Sequence, residues 1–285
     1  MSGIVTLTTD WGIKDAYVAI FKAAVLRKNP KANIVDVSHQ SDKFGAMHAA
    51  KIISQAYGMF PEGTVHVVDV REISSEDRER YANKCKPYLF LDPIGVKVNH
   101  QILLMENNGL LSLILSDWNS VEEVVKLTEN DEFSAVSTFN ALNFYSLAAA
   151  RLSSGEAKLS EVGVPYPKEC LVRLNMPKIV LDKDYIECRV SHVDDYGNLV
   201  TNLSREDFEQ VADGRTVMDV ELTGCESFKE VPLKKSYLPP VPGKIFAVFN
   251  LAGYLELGLR YDSLAAICMD SVRAMNQQVI IRFRN

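Results

Sequence analysis

The hydrophobic positions of the first seventy residues alternate between two periods. Short runs rich in β-branched residues fall at 4–8 (Ile4-Val5-Thr6-Leu7-Thr8), 33–38 and 64–69. Between them, apolar residues recur at helical spacing. Residues 16–28 are small and apolar, and in 45–57 Ala46, Ala49, Ala50, Ile53 and Ala56 share one face. Strand, helix, strand, helix, strand predicts a parallel sheet covered by helices. The alternation then breaks. Residues 71–86 read as a charged loop or short exposed helix. Strands are predicted at 88–91 and 101–105, with a short one at 95–98 between them. Asn107-Asn108-Gly109 signals a turn. Residues 121–127 alternate weakly. A helix is predicted over 140–152, with Phe144, Leu147, Ala148 and Leu152 on one face and Gly155 closing it.

Residues 164–182 contain Pro165, Pro167 and Pro177 and little periodicity, which predicts a linker. Beyond it the pattern turns to β. Residues 185–193 are strand-like, 194–198 form a turn, and 199–203 resume the strand. Ser204-Arg205-Glu206-Asp207 opens a short helix as a near capping box. Residues 217–222, 245–250, 254–259 and 278–283 alternate like antiparallel strands. The expected architecture is an α/β N-terminal domain (1–165) with a mainly parallel sheet flanked by helices. A linker (166–182) leads to a smaller all-β C-terminal domain (183–285), a barrel or sandwich.

Composition narrows the class. The chain has 285 residues, 47% hydrophobic and 24% charged, and carries a net charge of −6. It is an ordinary globular balance with room for a large core. The charge and the lack of a basic patch argue against nucleic acid as a partner. Five scattered cysteines without a CxxC pair argue against a zinc cluster and suit a reducing compartment. The sequence enters a strand at once, with no basic and apolar leader, and holds no apolar run long enough to span a membrane. A cytosolic protein without membrane partners is expected.

Candidate chemistry concentrates at Thr8-Thr9-Asp10-Trp11-Gly12-Ile13-Lys14-Asp15. Two carboxylates sit between a strand's carboxyl end and a helix start, where open α/β sheets bind ligands. Gly12 permits a tight turn. Asp15 has the chemistry of a helix N-cap or of a ligand contact. Asp10, at the strand end, suits two vicinal hydroxyls. His39 and His66 lie on strands or their ends and read as structural residues; His48 lies on an apolar helix face, and His100 and His192 have no partner at metal-ligand spacing. No GxSxG, Walker loop or GxGxxG occurs.

Four stretches, in order along nearly the whole chain, resemble the S-adenosylmethionine hydroxide adenosyltransferases, which include fluorinating and chlorinating enzymes. They are Thr8–Gly12 with Asp15; Ile34-Val35-Asp36-Val37-Ser38-His39; Val193 to Asn202 through Asp194-Asp195-Tyr196-Gly197-Asn198; and Asn250-Leu251-Ala252-Gly253-Tyr254-Leu255-Glu256-Leu257. The resemblance implies a homotrimer with each ligand between the N-domain of one subunit and the C-domain of the next. It implies S-adenosylmethionine as substrate, with water or hydroxide attacking ribose C5′ to give adenosine and methionine, and no cofactor or metal. A sulfonium leaves as a neutral thioether, so the site has only to hold the ribose and place an oxygen nucleophile in line.

Residue by residue, the resemblance gives Asp10 the ribose hydroxyls, Asp15 and Asp194 the methionine end, and Asn198 the adenine edge. Asn198 also fits a plain turn, and Phe44 either an aromatic wall or core. Asn250, Tyr254 and Tyr261 complete the expected ligand contacts, with backbone groups near 259–261 facing adenine. Asp69 occupies the family's water-side Asp position. The Arg expected seven residues on is replaced by Glu76; Arg71, Arg78 and Arg80 are nearby, and Arg78 is our assignment. The family's His position holds Asn140, which orients water but takes no proton, and which also suits a helix N-cap. The family's Pro-Asp-Asn-Gly turn appears as Glu106-Asn107-Asn108-Gly109. The expected function is S-adenosylmethionine hydrolysis. The alternatives are a binder of S-adenosylmethionine or adenosine that has lost the His, halide transfer, or a hydrolase with a divalent metal among Asp10, Asp36 and Asp69.

Overall fold

The fold was obtained as a computed structural model, which describes residues 2–41, 45–70, 92–115, 117–129, 132, 139, 141–174, 178–237, 242–268 and 277–283. The chain divides into two compact units, Met1–Leu174 and Asn175–Asn285. The expected strand at 88–91, the charged segment 71–86, and Phe44, Arg78 and Asn140 lie outside the described residues.

The first unit holds β1 (Ile4–Thr9), α1 (Tyr17–Lys28), β2 (Asn33–Ser38), α2 (Ala46–Ala56), β3 (Val65–Asp69), β4 (Pro93–Val98), β5 (Gln101–Glu106), the short α3 (Leu111–Ile114), β6 (Val121–Leu127), α4 (Ser146–Ser154) and β7 (Gly163–Pro165). Among the described residues these strands form one sheet in the order β2-β1-β3-β5-β4-β6-β7. The first four run parallel, and β4, β6 and β7 continue it antiparallel. The parallel strands need crossovers, which α1 and α2 supply; β4 and β5 need only a hairpin. Asn99 and His100 make that hairpin's two-residue turn with φ of 47° and 60°, as a turn matched to strand twist requires.

Strand parity distributes the core. Val65, Val67, Ile102 and Leu104 pack with Phe21 and Val25 of α1 and Ala148, Ala149 and Leu152 of α4. Val68, Leu103 and Met105 face the other way, onto Ala46, Ala49, Ala50 and Ile53 of α2. Both faces of the sheet are therefore covered, which explains why β3 is buried from end to end and β1 from Val5 onward.

Two local expectations change. Asp15 does not cap α1: the N-cap is Ala16, without a side-chain bond, and Asp15 is exposed one residue upstream. The predicted helix 140–152 opens as a π-turn, Ala141–Tyr145, before continuing as α4 to Gly155, whose φ of 78° ends it. Residues 166–172 are bound to the first unit through Asn107, whose amide donates to Tyr166 Oη and the Cys170 carbonyl, both at 2.9 Å.

The second unit is a barrel. It holds β8 (Val180–Leu181), β9 (Tyr185–Val193), β10 (Leu199–Ser204), α5 (Arg205–Ala212), β11 (Val217–Leu222), β12 (Ser227–Lys234), β13 (Ile245–Phe249), β14 (Tyr254–Leu259), α6 (Leu264–Cys268) and β15 (Gln278–Phe283). The ring runs β10-β14-β13-β12-β11-β15-β9 and closes by pairing of β9 with β10; β8 adds to β9 outside it. Six of the ring's pairings are antiparallel, whereas β12 and β13 pair in parallel. The barrel interior is filled by residues such as Ile186, Val190, Leu199, Met218, Val231, Leu257 and Ile281. Ser204 caps α5, its hydroxyl accepting from Asp207 N at 3.0 Å.

Candidate functional site

The parallel half of the first sheet presents its strand ends on one rim. Thr9 closes β1 and lies in register with Asp69, the last residue of β3. Asp69 is buried, and its Oδ2 accepts from Trp11 Nε1 at 2.9 Å. Trp11 is fixed in turn by packing. Its ring centroid lies 4.7 Å from Phe139, 5.7 Å from Phe21 and 6.4 Å from His39. Gly12 turns the chain with φ of 74°, and its N–H donates to the His39 carbonyl at 2.8 Å.

His39 and Asp36 brace this rim. Thr9 Oγ1 lies 2.8 Å from His39 Nδ1, and His39 Nε2 lies 3.0 Å from Asp36 Oδ1. Lys22 Nζ reaches Asp36 Oδ2 at 2.6 Å. Burial works against the Asp36 carboxylate, but the bonds from Lys22 and His39 outweigh it and hold its pKa below the ordinary value. Asp36 is thus engaged as a brace. Among the described residues, no group of three or more His, Cys, Asp or Glu side chains is arranged to hold a metal ion. Asp10 is half-buried beside this rim, and Asp15 is exposed. On the neighbouring strand, Asn108 Nδ2 donates to the Val70 carbonyl at 2.7 Å, tying the β5 end to the β3 end.

In the barrel, an open cavity of about 710 Å³ is lined by Asp194, Asn198, Tyr237, Phe246, Arg260 and Tyr261, among others. The turn between β9 and β10 builds one wall. Asp194 Oδ1 accepts from Tyr196 N at 3.0 Å and Asn198 N at 2.8 Å, and its Oδ2 accepts from Asn198 Nδ2 at 2.9 Å. The Asn198 amide is therefore fixed with its nitrogen toward Asp194. A Cβ on Gly258 would stand only 2.4 Å from Asn198 Oδ1, so that position admits the amide because it has no side chain. Tyr261 lines the cavity, highly exposed and with φ of 61°, a left-handed backbone that non-glycine residues seldom adopt. Arg260 stacks over its ring at 4.6 Å and donates to its hydroxyl at 2.9 Å.

Tyr237 of the cavity lining is bonded to Glu256, buried on β14. Glu256 Oε1 accepts from Tyr237 Oη at 2.6 Å. Burial raises its pKa and the nearby Asp194 charge adds to that, against the bonds from Tyr237 and Asn250. Burial and the Glu256 charge raise the Tyr237 pKa as well. The expected residues thus fall into three groups. Asp10 and Asp69 share the first unit's rim. Asp194, Asn198 and Tyr261 share the barrel cavity. Asn250 and Tyr254 are outside the cavity lining: Asn250 Oδ1 accepts from Ala252 N and Tyr254 N, both at 3.1 Å, and so shapes the β13–β14 hairpin. Sequence reasoning does not single out Tyr237, Phe246 or Gly258, and gives Glu256 no role. One signal was available: Glu256 is a lone carboxylate in an apolar strand between Leu255 and Leu257.

The chain thus carries an α/β unit with an acidic rim and a seven-stranded barrel with an amide-bearing cavity. Its family follows from comparison. The SAM hydroxide adenosyltransferase N-terminal domain matches residues 5–163 and the corresponding C-terminal domain matches residues 188–269, so the chain belongs to the SAM hydroxide adenosyltransferase family. It is similar to the (R)-S-adenosyl-L-methionine hydrolase of Methanocaldococcus jannaschii, 24% identical over 93% of this chain and 91% of the relative. The (R)-S-adenosyl-L-methionine hydrolase of Salinispora arenicola is 27% identical over 94% of this chain and 96% of its own length. A fluorinase of Nocardia brasiliensis is 28% identical over 92% of each. An uncharacterized conserved protein from Thermotoga maritima superposes with a TM-score of 0.80 at 26% identity, over 98% of this chain and 99% of that one. No helix among the described residues is long and apolar enough to cross a membrane.

Proposed function

We propose that this enzyme hydrolyses S-adenosylmethionine to adenosine and methionine, without a cofactor. The oxygen of a water molecule attacks ribose C5′. The C5′–S bond breaks and its electron pair passes to sulfur, which leaves as a neutral thioether. The water's proton passes to Asp69 and on to solvent. The observation that carries this reading is the buried Asp69 carboxylate at the end of β3, oriented by the Trp11 indole. An oriented anion accepts a water proton and repels a halide, which favours hydrolysis over the chemistry of the fluorinase relatives.

Asp10 takes the ribose hydroxyls, Asp15 the methionine ammonium, and Asn198 the adenine edge. Asp194 acts by holding Asn198, given its three bonds within the turn. Phe44 and Tyr261 complete the pocket, Asn250 and Tyr254 support it from the β13–β14 hairpin, and Arg78 and Asn140 assist at the water. The assembly is a cytosolic homotrimer in which the rim of one subunit meets the barrel of the next. The exposed apolar side chains Ile13, Tyr17 and Ile20 near the rim, and Leu251 and Tyr261 on the barrel, support such a contact.

Incubation of pure protein with S-adenosylmethionine tests the reading, with adenosine and methionine as expected products. Saturable binding without product would mark a non-catalytic binder, the reading that Asn140 in place of histidine favours. Product formation abolished by a chelator would mark a metal-dependent hydrolase. Undiminished affinity in Asp10→Ala would sink the assignment of the ribose contact.

A further inference from the structure

The barrel cavity has a support that none of the assigned roles uses. Tyr237 stands in its wall, edge-on to Phe246 with centroids 5.9 Å apart. Its ring is nearly half-exposed, and its hydroxyl makes one short bond, to Glu256. Glu256 is only 3% exposed and sits on β14, two residues before Gly258, whose missing side chain admits the Asn198 amide. Asn250 completes the arrangement. Both backbone bonds to its amide fall on Oδ1, so its Nδ2 is the group presented to Glu256. The buried carboxylate thus accepts from Asn250 on the hairpin and from Tyr237 in the wall.

We propose that Glu256 is a positioning residue: its carboxylate, steadied by Asn250, holds the Tyr237 ring in place as the wall of the cavity that Asn198 serves. The inference rests on the reading that this cavity receives the adenosyl group. A buried carboxylate is costly unless donors satisfy it, and a bond from a donor to a charged acceptor is among the stronger neutral-to-ionic contacts. Nothing in the barrel core requires an acid at this position, because the flanking Leu255 and Leu257 already fill the interior. The arrangement explains the acid by what it holds. Asn250, expected from sequence as a ligand contact, acts here through Glu256.

The test has two arms. In the first, proteins carrying 13C at the tyrosine Cζ are compared by NMR, the Tyr237 signal being assigned with Tyr237→Phe. Glu256→Ala is expected to shift that signal, and Glu256→Gln, which keeps an acceptor oxygen, to restore most of it. In the second, adenosine affinity and S-adenosylmethionine turnover are measured. Glu256→Ala and Tyr237→Phe are each expected to weaken adenosine binding and raise KM by about tenfold, with kcat changed little. The double variant is expected to match the worse single variant, because both remove one contact. Glu256→Gln should recover most of the affinity. Additive losses, or wild-type affinity in Glu256→Ala, would overturn the positioning role while leaving the functional reading intact. Wild-type protein that binds neither adenosine nor S-adenosylmethionine would overturn both, and a Tyr237 signal still responsive to Glu256→Ala would then mark the contact as structural only.

Discussion

The indole N–H of Trp11 donates to the carboxylate of Asp69 across a 2.9 Å gap between the β1 loop and the β3 end. The two residues are 58 positions apart in sequence. Parallel pairing of β1 with β3 brings them together, since Thr9 and Asp69 are register partners. The bond fixes one carboxylate oxygen, and the packing of Trp11 against Phe139 and Phe21 fixes the bond.

Asp69→Asn should keep the shape and remove the base. Turnover of S-adenosylmethionine is expected to fall at least about 100-fold with substrate affinity retained. Equilibrium binding beside a product assay checks it, and full activity in this variant would remove Asp69 from the mechanism.

Trp11→Phe should keep the aromatic packing and remove the donor. We expect kcat to fall about tenfold, the order of one hydrogen bond to a charged group, with a small change in Tm. A fall in Tm that tracks the loss of activity would point to packing instead.

Gly258→Ala should act on recognition. The new Cβ would stand 2.4 Å from Asn198 Oδ1 and 3.3 Å from the Phe246 ring. Relieving that contact costs about 1–3 kcal/mol and displaces the amide. Adenosine affinity, read by calorimetry, is expected to fall about tenfold or more while far-ultraviolet circular dichroism is unchanged.

His66 makes stability depend on pH. Its Nδ1 lies 2.7 Å from Thr6 Oγ1 and its Nε2 3.2 Å from Gln101 Oε1. The Gln101 amide nitrogen is committed to the Tyr57 and Phe60 carbonyls, so Oε1 accepts from His66 Nε2–H. Burial pushes its pKa down to about 4, the Gln101 bond pulling the other way. The unfolded chain, with a value of about 6.5, binds the proton first as pH falls. Stability is therefore full above about pH 6.5 and declines toward pH 4, by roughly 3 kcal/mol from this group. Denaturant melts between pH 7 and pH 4 should show the decline, and His66→Gln should flatten it.

The first five elements are legible because strand-like and helix-like apolar spacing alternate along residues 4–69. The strand β12 is not. Its eight residues include Lys229, Glu230, Pro232 and Lys234, only Val231 is fully buried, and Glu230 sits at φ of 56°. No two-residue alternation survives there. The five residues of α6 are too few to establish a helical period. The π-turn at 141–145 changes backbone bonding without changing which residues are apolar. At the site, Asp69 is legible because it ends the third apolar run and falls at the Asp position of the family that the sequence resembles. The Tyr237–Glu256 contact is not, because a side-chain bond across 19 positions leaves no local pattern. Asp15 misled as a cap because residue type identifies candidates for a cap but not which peptide begins the helix.

The strand β9 divides one of its edges between two neighbours. Ile186 and Glu187 pair with β8, and Val190 to Val193 pair with β10, while the opposite edge pairs with β15 from Tyr185 to Arg189. Sliding β9 by a single position would break all three ladders at once. Asp194 follows directly, so its height above the ring is set by counting along that strand, including the bulge at Ser191, where β9 carries one residue more than β10. Insertions in related chains should therefore be excluded from 185–189, where the ladder to β15 runs without a break, and collect in the connections that meet only one neighbour.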